Sequence, residues 1–182
     1  MKIDLTGKKA VITGSTGGIG FACAQVLAEA GADVVVNGRS DETVNRALDK
    51  LRSSYPDREF TGVAASLDTA EGPARIIEAA PSCDILVNNA AVNIIANVFE
   101  QPDDDYFKLF EINFLAEVRL TRHYMPGMLE KNWGRVLFHN SEQALRPSSE
   151  MPAYGATKAA SLALARSVAE YTKGSAVTVN TV

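Results

Sequence analysis

Between Lys8 and Gly31 an apolar run, a cluster of glycines and a small-sided amphipathic segment follow one another without a spacer. Lys8 to Thr13 reads as a short buried strand and Gly14-Ser15-Thr16-Gly17-Gly18-Ile19-Gly20 as a tight turn. Ile19 to Ala30 reads as a helix with Ala22, Val26 and Ala30 on one stripe, stopped by Gly31. A strand that turns through glycines directly into a helix opens a parallel βα arrangement. Glycines let the backbone turn tightly and approach a ligand closely, and the free N–H groups at the helix start receive a pyrophosphate. The same residues also suit a tight turn without a ligand, but with the strand and the helix both in place phosphate binding is the favoured reading.

The alternation continues along the chain. Val34-Val35-Val36 is a second strand, followed by the turn Asn37-Gly38-Arg39-Ser40 and a polar helix from Asp41 to Ser54 with Val44, Leu48 and Leu51 facing inward. Phe60 to Leu67 is a third strand and Glu71 to Ala80 a short helix. Asp84-Ile85-Leu86-Val87 is a fourth strand, apolar enough to be covered on both faces. A long helix runs from Pro102 to about Lys131, with a break expected at Pro126-Gly127. Gly134 to His139 is the fifth strand, Pro152 to about Tyr171 a helix, and Ala176 to Asn180 the sixth strand. The pattern predicts an α/β fold, a doubly wound parallel sheet in three αβα layers. At 182 residues the chain suits one domain over residues 1–182 and is short for two.

Composition narrows the partners. A net charge of -4 without a Lys or Arg cluster argues against nucleic acid. No segment approaches the roughly 20 apolar residues that span a bilayer, and Met1-Lys2-Ile3-Asp4 leads to a glycine turn rather than an apolar leader. Cys23 and Cys83 read as reduced core residues of a cytoplasmic protein. His123 and His139 have no carboxylate at a supporting spacing, so no metal is expected.

The candidate chemistry gathers at strand ends. In a dinucleotide fold the adenosine ribose lands roughly 20 residues past the glycine turn. Asn37 there carries no charge and Arg39 can pair with a 2′-phosphate, which points to NADP; NAD, with Arg39 merely an exposed residue near a helix start, is the alternative. The fourth strand delivers Asn88-Asn89-Ala90-Ala91 to the carboxyl edge, where the asparagines can tie strand ends together. Asn113 stands among Phe110, Ile112, Phe114 and Leu115 and must find hydrogen-bond partners. Ser141 follows the fifth strand, with no nucleophile elbow to support a hydrolase reading of Ser141 and His139. Tyr154 and Lys158 lie one helical turn apart, so the ammonium can sit beneath the phenol and favour its anion; an ordinary phenol titrates near ~10.

Taken together these motifs resemble the short-chain dehydrogenase/reductase family over about Thr6 to Val182. The likeness rests on Thr13-Gly14-Ser15-Thr16-Gly17-Gly18-Ile19-Gly20, on Asn88-Asn89-Ala90-Ala91, on Asn113, and on Ser141 thirteen residues before Tyr154-Gly155-Ala156-Thr157-Lys158. The single-domain type, and 3-oxoacyl-carrier-protein reductases in particular, is the nearest general likeness. The resemblance implies a Rossmann fold and hydride transfer between NADP(H) and a small carbonyl or secondary alcohol. It assigns Tyr154 as general acid/base, Lys158 as the charge that tunes it and binds the cofactor ribose, Ser141 as the holder of the carbonyl oxygen, and Asn113 as the support of a proton-relaying water. For cofactor binding it implies Gly14, Ser15, Thr16, Gly17, Gly18, Ile19, Gly20, Arg39, Ser66, Leu67, Asn89, Ala90, Tyr154 and Lys158, and it implies a homodimer or homotetramer.

The sequence departs from the family at Ala91, where glycine is usual, at Ser66, where an aspartate beside the adenine is usual, and at His139-Asn140, which are more polar than is common. The usual Pro-Gly turn, substrate loop and seventh strand are also not found after Asn180, so the C-terminal part of the usual domain is expected to be absent. Two alternatives to the NADP-dependent reductase follow: an NAD-dependent alcohol dehydrogenase, and a nucleotide-binding remnant without turnover.

Overall fold

The computed structural model describes residues 3–182. Its strands are β1 (Lys9–Ile12), β2 (Asp33–Gly38), β3 (Phe60–Ala64), β4 (Ile85–Asn88), β5 (Gly134–Phe138) and β6 (Val177–Thr181). They form one sheet in the order β3-β2-β1-β4-β5-β6, with every neighbouring pair parallel. Because β1 pairs with β2 on one side and β4 on the other, the direction of winding reverses there. In open α/β sheets the crevice beyond that point is where ligands bind.

Side chains alternate across a strand, so each central strand feeds two cores. Val11, Val35, Leu86 and Val136 point to one face, packed with Leu120, Met128 and Ala165. Ala10, Ile12, Val34 and Val36 point to the other, packed with Ala24, Ala28, Leu48 and Leu51. The helices α1 (Gly18–Glu29) and α2 (Asp41–Ser54) therefore cover one face, while α3 (Glu71–Ala79), α5 (Ala116–Glu130) and α6 (Pro152–Glu170) cover the other. The three-layer αβα arrangement is the expected one. Ser40 starts α2 by accepting the Thr43 N–H at 3.4 Å, and Asp41 and Glu42 complement the helix dipole.

Two local expectations are corrected. The long helix does not break at Pro126-Gly127: α5 runs through Pro126, which is exposed. The irregularity lies earlier, where α4 (Asp103–Phe110) passes into α5 through a π-helical turn, Glu111–Leu115, that contains Asn113. A widened turn at a polar residue commonly marks a functional position. Asn37, expected in a turn, is the fifth residue of β2 and is only 2% exposed. The strand extends past Val36 because β3 continues beside it, with Asn37 opposite Val63 and Gly38 opposite Ala64.

Candidate active site

The carboxyl ends of β1 and β4 are tied together by side chains. The Asn89 amide donates to the Thr13 and Gly14 carbonyls at 2.9 and 3.1 Å, and Thr13 Oγ1 accepts the Asn89 and Ala90 N–H groups, both at 2.9 Å. Gly14 has φ +61°, and a Cβ on it would stand 3.0 Å from the Ala90 Cα. Only glycine permits both that backbone conformation and that approach. Asn37 braces the other side: its Oδ1 accepts the Gly14 N–H at 3.2 Å, and its amide donates to the Val63 and Ala65 carbonyls at 3.2 and 3.0 Å. Asn37 is therefore scaffold. Ser15 is too, with its Oγ donating to the Ile12 carbonyl at 2.7 Å and accepting the Asn37 N–H at 3.0 Å, and its own N–H directed to the Asn37 carbonyl. Its hydroxyl and its N–H are thus both used inside the fold.

Above this brace lies a cavity of about 670 Å³ lined by Gly14, Thr16, Gly17, Gly38, Arg39, Ser66, Leu67, Asn89, Ala90 and Ala91, among others. That volume is ordinary for a ligand site. Helix α1 begins at its rim with Gly17 as N-cap and no side-chain cap bond. A Cβ at Gly17 or Gly18 would meet nothing within 4 Å, so the helix start is open to an incoming group. Backbone N–H groups without a side-chain cap, an exposed Arg39 and small residues on both walls fit the phosphates and ribose of a dinucleotide. Ile19 is 60% exposed at the same helix end. Gly20 instead faces inward: a Cβ there would fall 2.5 Å from both the Asn89 amide nitrogen and the Gly14 carbonyl oxygen. Ala91, in the place of the usual glycine, is exposed on the wall of the cavity.

The second half of the site follows β5. Ser141 caps a short 3-10 turn, Glu142–Ala144, by accepting the Gln143 N–H at 3.2 Å. Helix α6 packs against that segment, with Gly155 close enough that a Cβ would be 3.1 Å from the Gln143 carbonyl and 2.8 Å from Pro147 Cβ. Tyr154 and Lys158 sit on α6, and the Lys158 Nζ lies 5.8 Å from the centre of the Tyr154 ring. Lys158 is 2% exposed and donates to the His139 carbonyl at 2.6 Å, which ties α6 to the chain two residues before Ser141. Burial lowers the Lys158 pKa, and the carboxylate of Glu117 opposes that shift. His139 lies beyond β5 rather than in it; its Nδ1 is 2.9 Å from Asn89 Oδ1, and burial with the nearby Lys158 charge lowers its pKa.

Asn113 is fully buried and finds the partners it requires. Its Oδ1 accepts the Val92 N–H at 2.8 Å, and its amide donates to the Val92 carbonyl at 2.9 Å and to Thr157 Oγ1 at 3.2 Å. Thr157 precedes Lys158, so Asn113 links the loop after β4 to the helix that carries Tyr154.

Glu117 was not anticipated. It is 3% exposed on α5, bonded to Ser161 on α6 and electrostatically coupled to Lys158. The signal was present in the sequence: Asn113, Glu117 and Thr121 repeat at four-residue intervals, a polar stripe on an otherwise apolar helix face.

Residues 8–182 match the family model described as short chain dehydrogenase. The whole chain is 48% identical to the uncharacterized oxidoreductase YvaG of Bacillus subtilis and spans 69% of that protein. It is 31% identical, over 99% of its length and 73% of the relative's, to the 3-oxoacyl-[acyl-carrier-protein] reductase FabG of Rickettsia felis. Among solved structures it superposes with a TM-score of 0.94 on L-sorbose reductase from Gluconobacter frateurii complexed with NADPH and L-sorbose. The identity there is 31%, over 100% of this chain and 70% of that one.

Proposed function

The chain belongs to the short-chain dehydrogenase family, an oxidoreductase family, and from that premise we propose that it interconverts a carbonyl and a secondary alcohol with NADP(H), using Tyr154 as general acid and base. The observation that carries this reading is the buried Lys158 ammonium, fixed on the His139 carbonyl and set beside the Tyr154 ring at the carboxyl edge of the sheet. NADPH, when bound, supplies the hydride.

The chain's own residues have separate tasks. Tyr154 gives its hydroxyl proton to the carbonyl oxygen during reduction and takes it back from the alcohol during oxidation, a role typically worth about 10²–10⁴-fold in rate. Lys158 places positive charge where negative charge develops on the phenol oxygen, in a site with little water to screen it. Ser141 Oγ already accepts the Gln143 N–H, so its own proton is free to hold the substrate oxygen. Asn113 fixes the Val92 segment against α6 and keeps Tyr154 in register with the cavity. Gly14, Thr16 and Gly17 on the cavity wall, with Gly18 and Ile19 at the open helix start, would hold the phosphates of the cofactor, Arg39 its 2′-phosphate, Ser66 and Leu67 its adenine, and Ala90 would form a wall beside it. NADPH in the sorbose reductase supports the cofactor preference.

Phe107 and Leu115 are exposed apolar residues along α4 and the π turn, which supports pairing of chains into a homo-oligomer. Among the described residues no helix is long and apolar enough to cross a membrane.

Replacing Tyr154 by Phe tests the reading. We expect turnover of a ketone panel with NADPH to fall at least about 10²-fold while the thermal midpoint and NADPH binding stay near wild type; near-normal turnover would reject Tyr154 as the acid.

A further inference from the structure

Two buried polar residues of α6, one of them the lysine of the Tyr154–Lys158 pair, and one of α5 form a cluster. Lys158 and Ser161, three residues apart on α6, are 2% and 0% exposed. Glu117 faces them from α5, one helical turn beyond Asn113, and its Oε2 accepts the Ser161 hydroxyl proton at 2.7 Å. Its other oxygen, Oε1, is buried without a hydrogen-bond partner among the described residues. A carboxylate in such a place is costly unless a charge compensates it, and the positive charge that acts on it is Lys158.

We propose that Glu117 is a positioning residue for the Tyr154–Lys158 pair: its carboxylate, held by Ser161, keeps the buried Lys158 in the ammonium form beside Tyr154. This rests on the catalytic reading above and adds to it the residue that sets the charge of its lysine.

The electrostatics agree with the geometry. Burial pushes the Glu117 carboxyl up to about 7, with the Ser161 bond and the Lys158 charge acting against it. Burial likewise lowers Lys158, and Glu117 is the group that opposes it. Other ionisable groups near Glu117 are set apart from it. The charged residues of α3, Glu71, Arg75 and Glu78, are exposed. The loop after β5 presents His139, which feels the Lys158 charge. The strand β4 presents Asn88, uncharged, whose amide donates to Thr121 on α5. On α5 itself Arg119 pairs with Glu111. An apolar residue at position 117 would remove the one charge that opposes desolvation of Lys158 and leave it only the His139 carbonyl.

The test reads the two titrations directly, by heteronuclear NMR on isotope-labelled protein without cofactor or substrate. In Glu117→Gln the Lys158 midpoint should fall by about one pH unit or more. Coupling is reciprocal, so in Lys158→Met the Glu117 midpoint should rise by a comparable amount; this second measurement decides the matter should Glu117→Gln fail to fold. In the assay, the alkaline limb of carbonyl reduction by Glu117→Gln should move to lower pH by the same interval, which a merely structural role would not produce. A Lys158 midpoint unmoved in folded Glu117→Gln, or a Glu117 midpoint unmoved in Lys158→Met, overturns the proposal. Because the titrations need no turnover, they stand or fall separately from the Tyr154→Phe result.

Discussion

Asn37 and Gly14 meet across the first two strands, the Asn37 side-chain oxygen accepting the Gly14 N–H at 3.2 Å while its amide reaches two carbonyls of the third strand region. One side chain thus holds the glycine turn, β2 and the end of β3 in a fixed relation. The shape of the cofactor cavity depends on a residue that is itself buried beneath it.

Removing that brace should cost stability before it costs cofactor selectivity. Asn37→Ala would strand the Gly14 N–H and two buried carbonyls, and we expect a loss of about 2–4 kcal/mol by chemical denaturation. Asn37→Asp should be at least as harmful, because a carboxylate cannot donate to Val63 and Ala65. A stability within about 0.5 kcal/mol of wild type for either variant would contradict the bracing role.

The glycines of the turn should divide into two kinds. Gly20→Ala puts a methyl 2.5 Å from the Gly14 carbonyl oxygen, a backbone atom that cannot swing aside, so the fold should lose stability. Gly17→Ala meets open space at φ −169° and should fold normally. Its methyl would, however, stand at the mouth of the helix start, and NADPH affinity should drop at least about tenfold, or about 1.4 kcal/mol. Isothermal titration beside a melting curve separates the two outcomes.

Arg39 is exposed on the cavity wall, where a guanidinium can form charge-assisted bonds to a 2′-phosphate. Arg39→Ala should weaken NADPH binding by about 1.5–3 kcal/mol and leave NADH binding nearly unchanged. Equal losses for the two cofactors in fluorescence titration would remove Arg39 as the selector and favour the NAD-dependent reading.

Glu117 should also write a pH dependence into stability. Its folded pKa, about 7, is raised by burial above the ordinary carboxyl value of 4.5 that the unfolded chain keeps. Between those values the folded chain holds a proton that the unfolded chain has lost. The stabilising contribution of the neutral acid is therefore complete below about pH 4.5 and is lost as pH rises through about 7, a change of roughly 3 kcal/mol. Glu117→Gln cannot ionise, so the slope of unfolding free energy over that interval should flatten in the variant. An identical slope would show that Glu117 does not titrate there.

Much of this protein was legible along the chain because the signals are local. The strand–glycine turn–helix order at Lys8 to Ala30, the apolar fourth strand and the Tyr154/Lys158 spacing depend on residues near in sequence, and periodicity and turn chemistry govern them directly. Those signals specified the doubly wound sheet and the edge on which Gly14, Asn89, Ser141 and Tyr154 assemble. Tertiary structure decided the rest, because it rests on contacts between distant residues. The brace from Asn37 to Gly14 joins positions 23 residues apart, the Asn113 bonds to Val92 span 21 and the Ser161–Glu117 bond spans 44. Local pattern left Asn37 in a turn and put the helix break at Pro126, whereas cross-strand pairing and the partners of a buried amide placed them in β2 and at Asn113. Whether a buried polar side chain is scaffold or chemistry depends on what faces it, and that is set only when the layers close.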